Sequence, residues 1–254
     1  MSLPLNIILL LILLLVGIII YIIAFYFLKI KHLIQNTPTS KIRSVAMGFA
    51  EVGGKVIPYE DYGTMMSPFS NEKCVYYRYL IEEYRSTGKS SSWVTIKKGT
   101  ENRLFYIQDE TGRILVDPNK ASIDISKSNV YNSAMGKDPP QNVLRFLEME
   151  NIRFEGILFG INKRMRYTEY IIKPYDSLYI MGTVEDNPYV QDASVIDGVA
   201  DMIFTKGKNV KFYCISDKME KRILTKYNLL FIGFFLLGTF ISVLSLIAIL
   251  QAVM

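Results

Sequence analysis

Two stretches of the chain, from Ile7 to Leu28 and from Leu229 to Leu250, run for 22 positions each with apolar side chains and no charge. At about 1.5 Å of rise per residue, each makes a helix of about 33 Å, enough for a hydrocarbon core of about 30 Å. Both are predicted to span a membrane. A cleaved signal peptide would need a basic leading segment and a short apolar core, and Met1 to Asn6 contains no Lys or Arg. Between the two runs the pattern changes to alternation with period two, or to short buried runs bounded by turn residues. Strands are predicted over 44–52, 73–85, 92–98, 104–108, 114–117, 121–125, 165–173, 177–185, 201–205 and 210–215. Asp109–Gly112 reads as a hairpin turn with Gly112 at positive φ, and Gly53-Gly54 and Asp117-Pro118-Asn119 read as further punctuation. One soluble helix is predicted over 141–149, opened by Pro139-Pro140 and carrying Val143, Leu144 and Leu147 on one face. A second, over 217–227, is expected to run on into the later span and to keep the domain close to the bilayer.

The expected organisation is a transmembrane helix in 1–28, one β-rich domain in 29–227 and a second transmembrane helix in 228–254. The fold class is mainly β (α+β), a β-barrel-like soluble domain with one short helix, flanked by two transmembrane α-helices. Many short strands close most economically into a barrel, because closure removes exposed edges.

Charge gives this plan a direction. The 29 Lys+Arg and 24 Asp+Glu residues, a formal net charge of +5, all lie between Lys29 and Lys226. Lys29 and Lys31 follow the first span, and Lys218, Lys221, Arg222 and Lys226 precede the second. By the positive-inside rule the domain is expected in the cytoplasm and both termini outside, with these residues as membrane flanks.

The residue inventory offers little chemistry. One His (His32) and two Cys (Cys74, Cys214) fall short of the four Cys/His ligands of a structural zinc site, so neither metal nor cofactor is expected. The run Gly48–Lys55 misses the phosphate-loop spacing, and Glu82 and Glu83 point to opposite faces of a strand. Basic and aromatic residues interleave at 75–79 and 164–170, but acids are spread through the same domain, so nucleic acid is not an expected partner. Gly233 and Gly238 are five apart, on different helix faces, so no close-packing motif is read there. Thr239, Ser242 and Ser245 form only a weak polar stripe.

The stretch Arg166–Val184 (RYTEYIIKPYDSLYIMGTV) resembles a motif of the GIDE family, an R-x-x-E followed by an apolar position and L-Y-V-x-G. Weaker likenesses lie at 41–58 and 109–118, and the resemblance extends over roughly 29–250. That family includes mitochondrial ubiquitin ligases whose middle region is the BAM, or beside-a-membrane, domain. The resemblance implies a membrane-anchored BAM-type module that binds a protein or lipid partner at the bilayer surface, as sensor or scaffold. Arg166, Glu169 and Gly182 are its partner-contact candidates. The animal proteins continue into a RING, for which this chain lacks the Cys and His, so the expectation is a short prokaryotic-type form without catalytic residues or enzyme activity. The family's animal members place this domain in the intermembrane space, against the cytoplasmic side expected here from charge. Alternative readings are a membrane-bound hydrolase or a homo-oligomeric membrane assembly.

Overall fold

The computed structural model describes residues 4–60, 63–86, 88–156, 162–189, 201–208, 212–218 and 220–253. They fall into two compact units, one made of the terminal helices and one spanning 39–218.

The helical unit is an antiparallel pair, α1 (Leu5–Gln35) and α3 (Glu220–Val253). Both are long and apolar enough to cross a membrane, which fits a membrane protein. The helices outrun the charge-free spans on the basic side, so Lys29 and Lys31 lie in α1, and Arg222 and Lys226 in α3. The side chain of Lys221 lies outside the described residues. Small residues let the pair approach. A Cβ on Gly17 would come 2.3 Å from the Ser242 hydroxyl, and one on Gly238 3.2 Å from Ile20 and 3.3 Å from the Gly17 carbonyl. Tyr21 and Thr239 share a hydrogen bond of 2.7 Å, and the Lys31 ammonium donates to Asn228 at 2.8 Å. Gly233 lies on a different face, as the spacing predicts, but Gly238 alone is a close-packing position. Its partner is Gly17 on the other helix, a pairing that spacing along α3 cannot reveal.

The domain unit opens with a 3-10 turn (Ile42–Ser44) and continues through β1 (Gly48–Pro58), β2 (Met65–Met66), β3 (Lys73–Cys74), β4 (Tyr76–Ser86), β5 (Ser91–Asn102), β6 (Phe105–Gln108) and β7 (Arg113–Val116). Next come β8 (Ser122–Asp124), β9 (Asn129–Ser133), α2 (Gln141–Met149), β10 (Met165–Ile172), β11 (Ser177–Asp186), β12 (Met202–Thr205) and β13 (Cys214–Ser216). Five strands close a barrel in the order β1-β6-β7-β12-β11 and back to β1, while β13 and β8 extend the sheet from β11. Its core holds Val52, Val56, Phe105, Ile107, Ile114, Val116, Ile180, Val184 and Phe204.

Closure depends on β1 changing partners. It pairs with β11 from Gly48 to Lys55 and with β6 from Lys55 to Pro58. Gly54 sits at the change, where a Cβ would lie 2.4 Å from the Gln108 carbonyl oxygen. The Gly53-Gly54 pair is thus a crossing within a strand, not a turn, and it carries β1 on to Pro58. The hairpin between β6 and β7 falls where predicted, but Gly112 is not among the positive-φ glycines. The Asp109 carboxylate closes this turn, accepting from the Thr111 N–H and hydroxyl, both at 2.6 Å, and from the Gly112 N–H at 3.1 Å. Burial works against ionising Asp109, yet these bonds and one from the Ile42 N–H outweigh it and hold the carboxyl below its ordinary value.

The second sheet, ordered β5-β4-β10-β9, is antiparallel throughout. One face is covered by α2 and Phe69, in a cluster with Tyr79, Ile81, Val143, Leu147, Met165 and Tyr167. Edge-to-face contacts join Phe69, Tyr79 and Phe146 at ring separations of 5.0–5.6 Å. The other face positions the candidate site.

Candidate functional site

Side chains alternate across a strand, so register decides which residues meet. In β10, Arg166 lies opposite Glu82 of β4 and Asn132 of β9, and Thr168 opposite Leu80 and Val130. A bulge between Ile81 and Glu82 shifts the β4–β5 register, after which Tyr84 pairs with Trp93. This brings Tyr84, Trp93, Arg164 and Arg166 together on the face turned away from α2.

Two guanidinium groups stack on these aromatics. Arg164 lies 4.5 Å above the Tyr84 ring and 5.8 Å from that of Trp93, and Arg166 lies 4.4 Å from the Trp93 ring. Tyr84 and Trp93 meet edge to face at 5.2 Å. Arg166 is neutralised by Glu82, donating to one carboxylate oxygen from two nitrogens, each at 2.9 Å. Arg164 is exposed and has no carboxylate partner among the described residues. On the same face Asn132 and Thr95 flank the Arg166–Glu82 pair and Val130 lies opposite Thr168, and all three are exposed. The surface therefore presents a flat, aromatic-backed cation with its N–H groups available, a geometry suited to a carboxylate or phosphate.

The three contact candidates from the sequence occupy three different places. Arg166 is in this patch. Glu169, three residues on, faces the other way as the spacing predicts, and it is fully buried. Its carboxylate accepts from the N–H of Phe69 at 2.9 Å, the N–H and hydroxyl of Ser70 at 3.2 and 2.6 Å, and Asn129 at 3.4 Å. Those donors fasten the 67–72 loop to β10. The same loop carries Glu72, whose carboxyl is held below its ordinary value chiefly by the hydrogen-bonded Lys173 ammonium, with Asn129 adding a second donor at 3.1 Å. Gly182 lies in the barrel, where a Cβ would come 2.5 Å from the ring of buried Tyr213. That tyrosine donates to the Asp117 carbonyl at 2.7 Å, and burial lifts its own ionisation well above the ordinary value.

The remaining sequence candidates also have definite positions. Lys218 forms an ion pair with Asp124 at the end of β8. Cys74 and Cys214 are both buried and unbridged, and burial, with Glu169 next, pushes the Cys74 thiol up to about 12. No cluster of three or more His, Cys, Asp or Glu residues suited to a metal occurs among the described residues. Tyr84, Trp93 and Arg164 were missed as site residues. The usable signals were the basic–aromatic interleaving at 164–170 and the chain's single Trp in an alternating strand.

Residues 76–194 match the model of the GIDE family, whose description is E3 Ubiquitin ligase. The chain thus carries a GIDE domain, running from β4 through β11 and including the whole aromatic–guanidinium face, α2, Arg166, Glu169 and Gly182. The match is narrower than the roughly 29–250 read from the sequence. No curated protein and no solved structure matches the chain.

Proposed function

We propose that this chain is a membrane-anchored GIDE module that holds an acidic segment of a protein partner against the Trp93–Arg164 face, as a sensor or scaffold at the bilayer surface. The observation that carries this reading is Arg164, stacked on two aromatic rings and without a carboxylate among the described residues, beside an Arg166 already matched by Glu82. Arg, Trp and Tyr are the side chains most enriched where binding energy concentrates, because a flat, pre-ordered surface loses little entropy on contact. The family's description names a ubiquitin ligase, but these 254 residues hold two Cys and one His, fewer than one structural zinc requires. We therefore read the chain's own role as recognition without chemistry. The domain is read as cytoplasmic, with both chain termini on the outer side.

Trp93 is the only tryptophan, so its fluorescence reports on this face alone. Titration of the full chain in detergent with an Asp/Glu-rich peptide is expected to change that emission, and Arg164→Ala to weaken binding by about tenfold or more, the loss of one charge-assisted bidentate contact. A change of emission with anionic vesicles but not with the peptide, or equal peptide affinity for Arg164→Glu, would exclude the acidic-peptide reading.

A further inference from the structure

The helix pair holds a groove unrelated to the sheet face. It has a volume of about 490 Å³ and is lined by Lys226, Leu229, Leu230, Gly233, Phe234 and Leu237. These positions recur every three or four residues, so they share one side of α3. It borders the side that meets α1, where Phe235 packs edge to face on Tyr21 and Gly238 on Ile20. Gly233 makes the depression. Unlike Gly17 and Gly238, it is not there for helix packing, since a Cβ added to it would meet nothing within 4 Å. Phe234 supplies one wall and is itself braced by Phe27 of α1, ring to ring at 5.5 Å.

We infer that this groove binds an anionic glycerophospholipid, with an acyl chain over Gly233 and the phosphate at Lys226. Three features select that occupant. The lining is apolar except for one cation, which stands at one end. The eleven helical steps from Lys226 to Leu237 span about 16 Å, half of a hydrocarbon core of about 30 Å and so the depth of one leaflet. The Lys31–Asn228 hydrogen bond brings the basic ends of the two helices together, so Lys29, Lys31 and Arg222 add positive charge at the headgroup level. A second copy of α3 is the competing occupant. In a two-fold pair with its axis along the membrane normal, equivalent residues lie at equal depth, so each Lys226 would face another Lys226 at the apolar boundary, where like charges are least screened. This site goes beyond the partner-binding reading and does not depend on it.

Native mass spectrometry of the full chain, taken from a bilayer of equimolar phosphatidylglycerol and phosphatidylcholine, tests the site. The wild type is expected to retain phosphatidylglycerol preferentially. Lys226→Gln should reduce that preference by about fivefold, the effect of one lysine near the surface. Gly233→Leu should abolish retention while leaving helical circular dichroism and Trp93 emission unchanged, because its side chain enters the groove and no other packing. Equal retention of the two lipids by the wild type, or undiminished retention by Gly233→Leu, overturns the inference. So does a wild-type dimer that Gly233→Leu disperses, which would assign the groove to a second copy.

Discussion

At Gly182 the absence of a side chain is a structural requirement. The Tyr213 ring occupies the volume a Cβ would need, and its hydroxyl donates to the carbonyls of Asp117 and Phe204 at 2.7 and 3.2 Å, tying the β7 and β12 ends together. Gly182→Ala must displace either the ring or the strand, and overpacking of this kind costs about 1–3 kcal/mol. The expected result in denaturant unfolding of the full chain is a loss of that size. Combined with Tyr213→Leu, which removes the colliding ring atoms, it should cost clearly less than the sum of the single losses. Additive losses would show that Gly182 serves something other than the ring. Glu169 is a contrasting case in the same quoted motif: a buried carboxylate with four donors is the centre of a loop attachment, and its oxygens are already committed. A string such as R-x-x-E thus mixes a partly exposed residue, Arg166, with one that never reaches the surface, Glu169.

Among elements, those with strong periodicity were legible and those defined by partners were not. The helix over 141–149 was read to the residue because Val143 and Leu147 mark its buried face after two prolines. The tyrosine-rich alternation of β4 and β10 was equally plain. β9 escaped because Asn129–Ser133 is a polar strand with a single buried residue, Ser133, so no period-two apolar signal exists to read. The candidate site escaped for a related reason. Trp93 and Arg164 are 71 residues apart in the chain and meet only through the β4–β5 and β4–β10 registers, one of them shifted by a bulge. Another partner-defined feature, the 67–72 loop, carries a pH dependence. Glu72 has a folded-state value below its ordinary 4.5, caused first by Lys173, so its contribution is present above about 4.5 and lost as pH falls through the lowered value. Lys173 is raised above its ordinary 10.5, chiefly by Glu72, so the partner contribution persists until alkaline pH exceeds that value. Both side chains are more than a third exposed, which limits the pair to under about 1 kcal/mol. Glu72→Gln should therefore destabilise the protein slightly near neutrality and flatten its loss of stability as pH falls below about 4.5. An acid limb as steep as wild type, measured by unfolding at several pH values, would mean that other carboxylates carry the dependence.

For the whole molecule, the decisive question is which side of the membrane the GIDE domain occupies, because that determines which partners the Trp93–Arg164 face can meet. The charge argument and the family's animal topology give opposite answers. Every Lys and Arg beside the spans lies on the domain-facing side of them, and residues 1–28 and 227–254 carry no charge of either sign. Retention of flanking Lys and Arg on the cytoplasmic side is strongest within about 15–20 residues of a span, which favours a cytoplasmic domain. The native thiols do not interfere with a labelling test, since Cys74 and Cys214 are both buried. In right-side-out vesicles, Ala252→Cys, on the far end of α3, is expected to react with a membrane-impermeant maleimide, whereas Lys137→Cys, in an exposed turn of the domain, should react only after the vesicles are opened. Protease added outside should likewise leave the domain intact. Labelling of Lys137→Cys in sealed vesicles, with Ala252→Cys protected, would place the domain outside, and the acidic partner would then have to be sought among proteins of that compartment.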